Sequence, residues 1–302
     1  AESLKQKLKD EFAYVSANII AKNPEVFNNL PEYKASKAKS KIDFELWEWA
    51  FAVLFSRAIC FPSTNDLALV PYADLLNHNS FCSTFFDVQT DGFFNKQRNV
   101  VLYTDRNYKQ TEQVYVTYGQ KSNAELLLLY GFVVERNPFD SVDICVSLNE
   151  KDPTYKKKLQ ILQDSGTEVA PRFPLFQDRY PKELIEFLRF CVATEKELDA
   201  DFGEYISAEN EQAVANAIIE ACEDALVQYP NTMEEDEALL KDRNLYSLLS
   251  QNMKWAIKHR RSEKRILKRT IQNIKREQTR PSYMFTGSAS GVDKAAAAAA
   301  KA

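Results

Sequence analysis

The composition of this 302-residue chain excludes several functional classes. Apolar residues make up 45% of the chain, which is enough for a sizeable core, and the length suggests about two domains. The net charge of -4 gives no global reason to expect a nucleic-acid or membrane partner. No apolar run approaches the ~18 residues that a membrane-spanning helix needs.

The spacing of the cysteines and the absence of several known motifs exclude further classes of protein. The five cysteines have no C-x-x-C spacing, which predicts neither a metal site nor a secreted disulfide framework, and we interpret them as reduced core residues of an intracellular protein. The sequence contains no G-x-G-x-x-G, P-loop, G-x-S-x-G or H-E-x-x-H motif. The sequence therefore lacks the motif residues that normally form a dinucleotide site, a P-loop, a serine hydrolase site or a zinc protease site.

Two helices are predicted at the start of the chain. Apolar residues every three or four positions predict a one-sided helix that ends near Asn23-Pro24. After a polar linker through Lys41, Asp43 can cap a second helix that runs to about Ala58. The second helix is apolar nearly all round, so we expect it to be buried.

The pattern changes to short β-branched and aromatic runs between Ile59 and Tyr118. The pair Asp91-Gly92 predicts a turn between strands at 85–88 and 93–94, and two further strands are expected at 100–103 and 113–118. A short helix is predicted at 123–130. This pattern is typical of a small, irregular β-rich unit.

Helical spacing dominates the rest of the chain, after one more strand at 143–148. The predicted helices cover 153–164, 181–194, 208–229, 233–242 and 245–278. We therefore expect a boundary near residue 148 and a separate helical bundle after it.

A polar cluster stands out in the apolar segment 70–79. Asp74, Asn77 and His78 lie within five residues, and burying them together is costly unless they satisfy one another or a ligand. His78 is interpreted either as a hydrogen-bonded core residue or as part of a site for a polar cofactor.

Tyr130 and Arg57 are further candidates. Tyr130 ends a very apolar helix before Gly131, and it is interpreted either as a core tyrosine or as a site residue. Arg57 ends an apolar helix, where an anion or a group of carbonyls should receive it. Asn123 and Glu125 are expected to be a turn former and a solvated residue.

These segments together resemble the SET-domain protein methyltransferases, in particular the plant branch typified by the Rubisco large-subunit lysine methyltransferase. The resemblance rests on Arg57, on the Asn77-His78 motif and on the Tyr130-Gly131-Phe132 motif, and it extends over about residues 43–280. It implies an α+β fold: the C-terminal half of a β-rich SET fold with its pseudoknot and a helical insertion, followed by an all-α C-terminal domain.

The resemblance also implies domain bounds. It places a helical insertion segment at 1–55, the SET core at 56–148, a helical substrate-binding domain at 149–281, and a disordered or unassigned tail at 282–302. The family's upstream Gly-rich loop, which wraps the cofactor, is not found here. Either the chain is a fragment or half of the cofactor site has been lost.

Residue roles follow from the same resemblance. Asn77 and His78 would contact S-adenosylmethionine, His78 through its backbone, and Tyr118 would lie on the cofactor side. Tyr130 matches the active-site tyrosine of the family. The remaining matches line the cleft for the cofactor and the target side chain or its channel: Ser56, Arg57, Asp74 and Phe86.

The sequence-based hypothesis is thus a protein-lysine N-methyltransferase that uses S-adenosylmethionine and is located, by resemblance alone, in the chloroplast stroma. Histidine is an alternative target. The final helix carries eleven Lys and Arg residues between Lys254 and Arg280. That run predicts a solvated face, or else docking on an acidic protein or nucleic acid, and the docking alternative would make the chain a non-catalytic subunit of a larger assembly.

Overall fold

A computed structural model describes residues 2–27, 42–92 and 97–278. The chain forms two compact units, the first comprising residues 1–119 and 128–130 and the second comprising 120–127 and 131–302. The mixture of helices and strands confirms the α+β class. Among the described helices, none combines the length and the hydropathy needed to cross a membrane.

The first unit starts with helices and continues with short paired strands. Strands β1 and β2 pair antiparallel, as do β4 and β5, whereas β3 and β6 pair in parallel. The elements of the first unit are α1 (Glu2–Val15), α2 (Pro24–Phe27), α3 (Phe44–Arg57), β1 (Ala58–Cys60), β2 (Leu67–Leu69), β3 (Asn77–His78), β4 (Phe85–Asp91), β5 (Gln97–Tyr103) and β6 (Tyr115–Val116).

Helix α3 begins as predicted, because the Asp43 side chain accepts a hydrogen bond from the Leu46 amide at 2.9 Å. Its first turns pack on α1, where the Phe12 ring lies 5.8 Å from the rings of both Phe44 and Trp47. Helix α1 thus covers one side of α3.

The predicted burial of α3 is wrong. None of its residues is buried, and Trp49, Leu54 and Phe55 are 53%, 47% and 44% exposed. An all-round apolar helix needs neighbours on every side, and the described residues of the first unit leave these side chains open to solvent.

Strand predictions in the first unit hold in outline. The β4–β5 hairpin extends to the pair Asp91 and Gln97, so Asp91 belongs to the strand rather than to the turn. Strand β6 is shorter than the predicted 113–118. The predicted strand at Phe93-Phe94 and most of the linker before Lys41 lie outside the described residues.

Helix α4 (Asn123–Tyr130) has the predicted bounds and is shared by the two units. Its start is fixed by a capping box, in which Ser122 accepts from the Glu125 amide and Glu125 accepts from the Ser122 amide. Its end is fixed by Gly131 at φ 78°, a conformation that glycine adopts without strain, with the Gly131 amide donating to Leu127.

The second unit contains one two-stranded antiparallel sheet and six α-helices among its described residues beyond α4. Its elements are β7 (Ser141–Cys145), α5 (Tyr155–Asp164), β8 (Arg172–Phe176), α6 (Lys182–Val192), α7 (Ala208–Val227), α8 (Met233–Lys241), α9 (Arg243–Leu248) and α10 (Gln251–Glu277). The helix predicted at 245–278 is two helices, because Ser250 caps α10 by accepting from the Met253 amide.

Strand β8 corrects the prediction of an all-α C-terminal domain. It pairs antiparallel with β7, although Pro171 and Pro174 disfavour a strand in the sequence. The Val146 amide donates to the Pro171 carbonyl, so every second residue of β8, counted from Pro171, points its backbone N–H and C=O groups towards β7. The backbone groups of Pro174 point away from β7, so its missing N–H breaks no bond between the two strands.

A continuous core holds the second unit together. Helices α6, α7 and α10 supply Leu188, Ile218 and Leu267, each at most 1% exposed, and β8 supplies Leu175 at 0%. The predicted boundary at residue 148 stays a prediction, and the predicted tail at 282–302 lies outside the described residues.

The basic side chains of α10 are largely used inside the second unit. Lys264 is 1% exposed and donates to Asp236, which also receives Arg260. Burial would raise the pKa of Asp236, but the hydrogen bonds from Arg260 and Lys264 outweigh it and hold that pKa below its usual value. Lys268 and Lys275 reach acidic residues of other helices. The solvated face predicted for this helix is therefore wrong at Lys264.

The cysteines are all free thiols. Cys191 and Cys222 are buried as predicted, and burial raises the pKa of each thiol to about 12. Cys60 and Cys145 are exposed, so the prediction that all five lie in a core is wrong for these two.

Candidate functional site

Segment 70–79, which carries the polar cluster of Asp74, Asn77 and His78, begins with a strained turn. Tyr72 has φ 72°, which is unfavourable for a large side chain, and it leads into a single 3-10 turn, Ala73–Leu75. Arg57 at the end of α3 donates to the carbonyl of Asp74 at 2.7 Å. Arg57 therefore has the carbonyl acceptor that the sequence predicts, and it holds this turn against the end of α3.

Strands β3 and β6 bring two distant segments together. They pair in parallel, with Asn77 opposite Tyr115 and His78 opposite Val116, and the Asn79 amide donates to the Val116 carbonyl at 3.1 Å. The Asn77-His78 motif and the segment that ends at Tyr118 thereby become neighbours.

The His78 ring is held at both nitrogens. Its Nδ1 accepts a hydrogen bond from the Tyr118 amide at 3.0 Å, and its Nε2 lies 3.0 Å from the hydroxyl of Ser80. Because Nδ1 is an acceptor, the ring is neutral and Nε2 carries the proton that it donates to Ser80. His78 is therefore a hydrogen-bonded residue of this cluster, and its side chain fixes the position of Tyr118.

Tyr118 is the centre of an aromatic cluster. Its ring centroid lies 5.0 Å from that of His78 and 4.7 Å from that of Tyr130, and its hydroxyl donates to the Leu76 carbonyl at 2.7 Å. Burial raises the pKa of Tyr118 despite the nearby positive charge of Arg57, so its hydroxyl remains protonated.

The sequence-predicted residues divide into two groups. Arg57 contacts Asp74, and Tyr118 contacts both His78 and Tyr130, with the charges of Arg57 and Asp74 close enough to influence Tyr118. The Asn77 side chain is exposed, the Ser56 hydroxyl donates to the Ala52 carbonyl of its own helix, and Phe86 lies opposite Leu102 in the β4–β5 hairpin. These positions leave the roles predicted for Asn77, Ser56 and Phe86 as predictions.

Two polar features escaped the sequence analysis. Ser80 is only 8% exposed and supports His78, and its place two residues after the histidine is the signal that could have suggested it. Asn123 is also not a simple turn former, because it is 3% exposed and bonds to Asp140 through its amide and its side chain. Ser262 of α10 donates to the same carboxylate. Nothing in the sequence spacing predicts that long-range link.

The cluster around Tyr118 has a character that fits a methyl donor carrying a positive sulfur. Aromatic faces attract cations, the neutral His78 and the protonated Tyr118 add no positive charge, and the nearby charge of Arg57 is accompanied by that of Asp74. The exposed Asn77 side chain has an amide with both a donor and an acceptor for polar groups of a ligand. The residues present therefore fit S-adenosylmethionine.

Comparisons with known proteins show which families this chain is similar to. The profile of a family described as Rubisco LSMT substrate-binding matches residues 149–267. The chain is 29% identical over 288 residues to the [fructose-bisphosphate aldolase]-lysine N-methyltransferase of Arabidopsis thaliana, covering 90% of this chain and 57% of that protein. It is 30% identical over 265 residues to the Rubisco large-subunit N-methyltransferase of Pisum sativum, covering 82% and 52%.

A histidine-directed relative and a solved structure complete the comparison. The actin-histidine N-methyltransferase of Homo sapiens is 28% identical over 272 residues, covering 82% of this chain and 44% of that protein. The SET domain of LSMT bound to lysine and AdoHcy matches with a TM-score of 0.70 and 26% identity, covering 91% of this chain and 63% of that chain.

The resemblance to the SET-domain protein methyltransferases is therefore confirmed. The chain is similar to the Rubisco LSMT-like branch, whose substrate-binding family matches residues 149–267. The chain spans about half the length of the curated relatives that it matches.

Proposed function

We propose that this chain carries the catalytic tyrosine and part of the cofactor site of a protein-lysine N-methyltransferase that uses S-adenosylmethionine. The observation that carries the proposal is the contact of the Tyr118 ring with both His78 and Tyr130. Those contacts join the two motifs on which the resemblance rests.

The proposed site positions groups rather than ionising them. S-adenosylmethionine supplies an activated methyl group on a sulfonium, and its transfer to an amine requires close alignment of donor and acceptor. The aromatic faces of His78, Tyr118 and Tyr130 favour a positive charge beside them. We propose that the Tyr130 hydroxyl orients the reacting groups, and that Asn77 and the backbone of His78 hold the cofactor.

The finer assignments are supported by local geometry. The parallel pairing of β3 with β6 is consistent with a pseudoknot around Asn77-His78. Arg57 and Asp74 are tied together beside the cluster, which suits a cleft shared by the cofactor and the target side chain. We assign Ser56 and Phe86 to the target channel by resemblance, where an apolar wall would lower the pKa of the incoming lysine by desolvation.

We propose that the second unit binds the protein substrate, because the family that matches residues 149–267 is described as substrate-binding. Two relatives are described as chloroplastic, and we propose the chloroplast as the compartment.

The non-catalytic alternative is disfavoured, because Lys264 and Arg260, which would have to face a partner, are paired with Asp236.

The test uses the full-length protein, labelled S-adenosylmethionine and a chloroplast stromal extract. We expect methyl transfer by the wild type, a loss of at least 100-fold in Tyr130→Phe with cofactor binding retained, and little change in the control Tyr103→Phe. Tyr103 is a suitable control because it lies in β5, where its ring stacks on Phe85. A wild type that neither binds the cofactor nor transfers methyl groups contradicts the proposal.

The chemical identity of the target is read from the product. Mass spectrometry of the labelled protein distinguishes methyl-lysine from methyl-histidine, which matters because relatives with either target match this chain. Label on histidine alone would overturn the lysine assignment while leaving the methyltransferase assignment intact.

A further inference from the structure

A groove of about 820 Å³ runs along the second unit between β7 and α7. The residues from Asp143 to Asn149 form one wall, and Leu188 and Cys191 of α6 contribute to the lining. The other wall is the face of α7 on which four alanines recur one turn apart: Ala213, Ala217, Ala221 and Ala225. Their short side chains let another backbone approach closely.

The strand wall of this groove has unused backbone groups. Since the Val146 amide donates to Pro171 on the β8 side, the N–H and C=O groups of Asp143, Cys145 and Ser147 point to the opposite edge. No strand in the described part of the chain pairs with that edge. An unpaired edge of this kind is a template for another strand.

The outer edge of β8 differs from that of β7. Phe176 already donates its amide to the Arg179 carbonyl at 2.9 Å, and Pro174 has no N–H. The β7 edge is therefore the one at which this sheet can accept a strand.

The groove has the length of a short extended peptide. Six residue steps from Asp143 to Asn149 span ~20 Å in an extended chain, and the fifteen steps from Ala213 to Gln228 span ~22 Å along a helix. Both walls therefore accommodate about six extended residues.

The charge of the groove indicates the kind of peptide. Asp143, Glu220 and Asp224 line it, against one lysine, Lys151. Glu220 and Asp224 are exposed and one helical turn apart, which is ~6 Å and close to the ~7 Å between alternate side chains of a strand. Neither has an ion-pair partner in the described ranges, whereas Glu223 is paired with Lys275.

We propose that an extended segment of the protein substrate, with lysine or arginine at alternate positions, binds in this groove as a strand added to β7. Backbone hydrogen bonds to Asp143, Cys145 and Ser147 provide the register, and Glu220 and Asp224 select the basic side chains. The assignment of the segment to the substrate rests on the proposed function, whereas strand addition requires neither cofactor nor catalysis.

The first experiment measures binding of a fluorescein-labelled decapeptide of alternating lysine and valine to the protein by anisotropy. We expect saturable binding, at least tenfold weaker in the double variant Glu220→Lys/Asp224→Lys. The control Glu168→Lys/Asp199→Lys changes the net charge equally at exposed positions that do not line the groove, and it should bind like the wild type. No binding, or an equal loss in both variants, overturns the proposal.

The second experiment separates strand addition from simple charge attraction. One peptide is N-methylated at its lysines and another at its valines, so that each lacks the N–H groups of one edge only. In a strand, residues whose side chains lie on the same face also point their N–H groups to the same edge. Because the lysines must face Glu220 and Asp224, the N–H groups that bond to β7 belong either to the lysines or to the valines. We therefore expect only one of the two peptides to lose binding. Equal binding of both would show that charge alone is responsible and would overturn the proposal.

Two further measurements complete the test. Sedimentation tests whether the groove instead binds a second copy of the chain. If the wild type self-associates, and if Glu220→Lys/Asp224→Lys blocks this association while the peptide does not, the groove belongs to a second copy and the proposal is overturned. Methyl transfer to the substrate at a wild-type KM in the same double variant would also overturn it while leaving the proposed function standing. Peptide binding without methyl transfer would support strand addition and contradict only the proposed function.

Discussion

The two units bury their apolar residues very differently. The cluster of buried core residues lies in the second unit, whereas Leu8, Phe61 and Val116 are the buried apolar side chains of the described part of the first. In the first unit, Tyr72 and Phe81, which flank the Asn77-His78 motif, are 85% and 69% exposed. Exposed apolar surface of this kind is typical of binding sites. The second unit thus has the core, and the first has the surface next to the proposed chemistry.

Tryptophan positions allow the two units to be followed separately. Of the three tryptophans, Trp47 and Trp49 lie in the first unit and Trp255 lies in the second. A chain with Trp47→Phe and Trp49→Phe reports on the second unit alone, and one with Trp255→Phe reports on the first.

The largest expected effect is that of Asp236→Ala in the second unit. Removing this carboxylate leaves Lys264 buried without its counter-ion, which should lower the free energy of unfolding by about 3–5 kcal/mol. Urea unfolding followed by Trp255 fluorescence measures it. The control Glu234→Ala removes an exposed ion pair between the same two helices and should cost at most about 1 kcal/mol. Equal losses in both variants would contradict the idea that burial distinguishes the two ion pairs.

The next effect compares one leucine from each unit. Leu267→Ala removes a side chain that is 0% exposed and should cost about 2–5 kcal/mol, whereas Leu54→Ala in α3, where leucine is 47% exposed, should cost about 1 kcal/mol or less. The free energies come from urea unfolding with the reporter for each unit. A larger loss at Leu54 would mean that α3 is buried after all.

A smaller effect is expected at the start of α4. Ser122→Ala removes the side-chain cap, which should cost about 1 kcal/mol. Thermal unfolding measures the loss, with Ser56→Ala as the control. The hydroxyl of Ser56 bonds within its own helix, so its removal should change stability by less than about 0.5 kcal/mol. If the two serines behaved alike, the capping box would contribute nothing.

The smallest effect is a pH dependence at Glu263 of α10. Burial, with help from Asp140 and Asp143, raises the pKa of Glu263 despite its contacts with His259 and Tyr229. Its contribution to stability is therefore fully present below the unfolded pKa of about 4.3 and is lost as the pH rises through the folded pKa. Glu263→Gln should remove that loss.

Unfolding measured from pH 4 to 7 tests this prediction as a difference between wild type and variant. The stability of Glu263→Gln relative to the wild type should increase with pH, and that of the exposed control Glu195→Gln should stay constant. A difference that falls with pH would give the opposite sign for the pKa shift.

The sequence predicts those elements whose local pattern matches their surroundings. Helix α4 lies at its predicted bounds because Ser122, Glu125 and Gly131 are local signals for a helix start and end. Helix α3 shows the limit, since an apolar pattern predicts that burial is possible without naming the neighbour that provides it. Strand β8 shows a second limit, because whether Pro174 points its backbone towards or away from β7 depends on the tertiary structure.

The candidate site was predictable for a different reason. Local patterns single out His78 and Tyr130 as candidates, but their roles come from resemblance to a family. The residue that connects them, Tyr118, shows no local signal that sets it apart from other tyrosines. The contacts of Asp140 with Asn123 and Ser262 arise from pairing between distant segments. Periodicity carries no information about such pairs.

The unequal edges of the two-stranded β7–β8 sheet limit the kind of assembly that this protein can enter. A sheet that accepts strands at both edges can propagate from one molecule to the next without end. Here Pro174 and the loop at Arg179 stop growth at β8, while β7 can still accept a strand. Each molecule can therefore take up one strand and then stops, which permits pairing with a partner and opposes fibre formation.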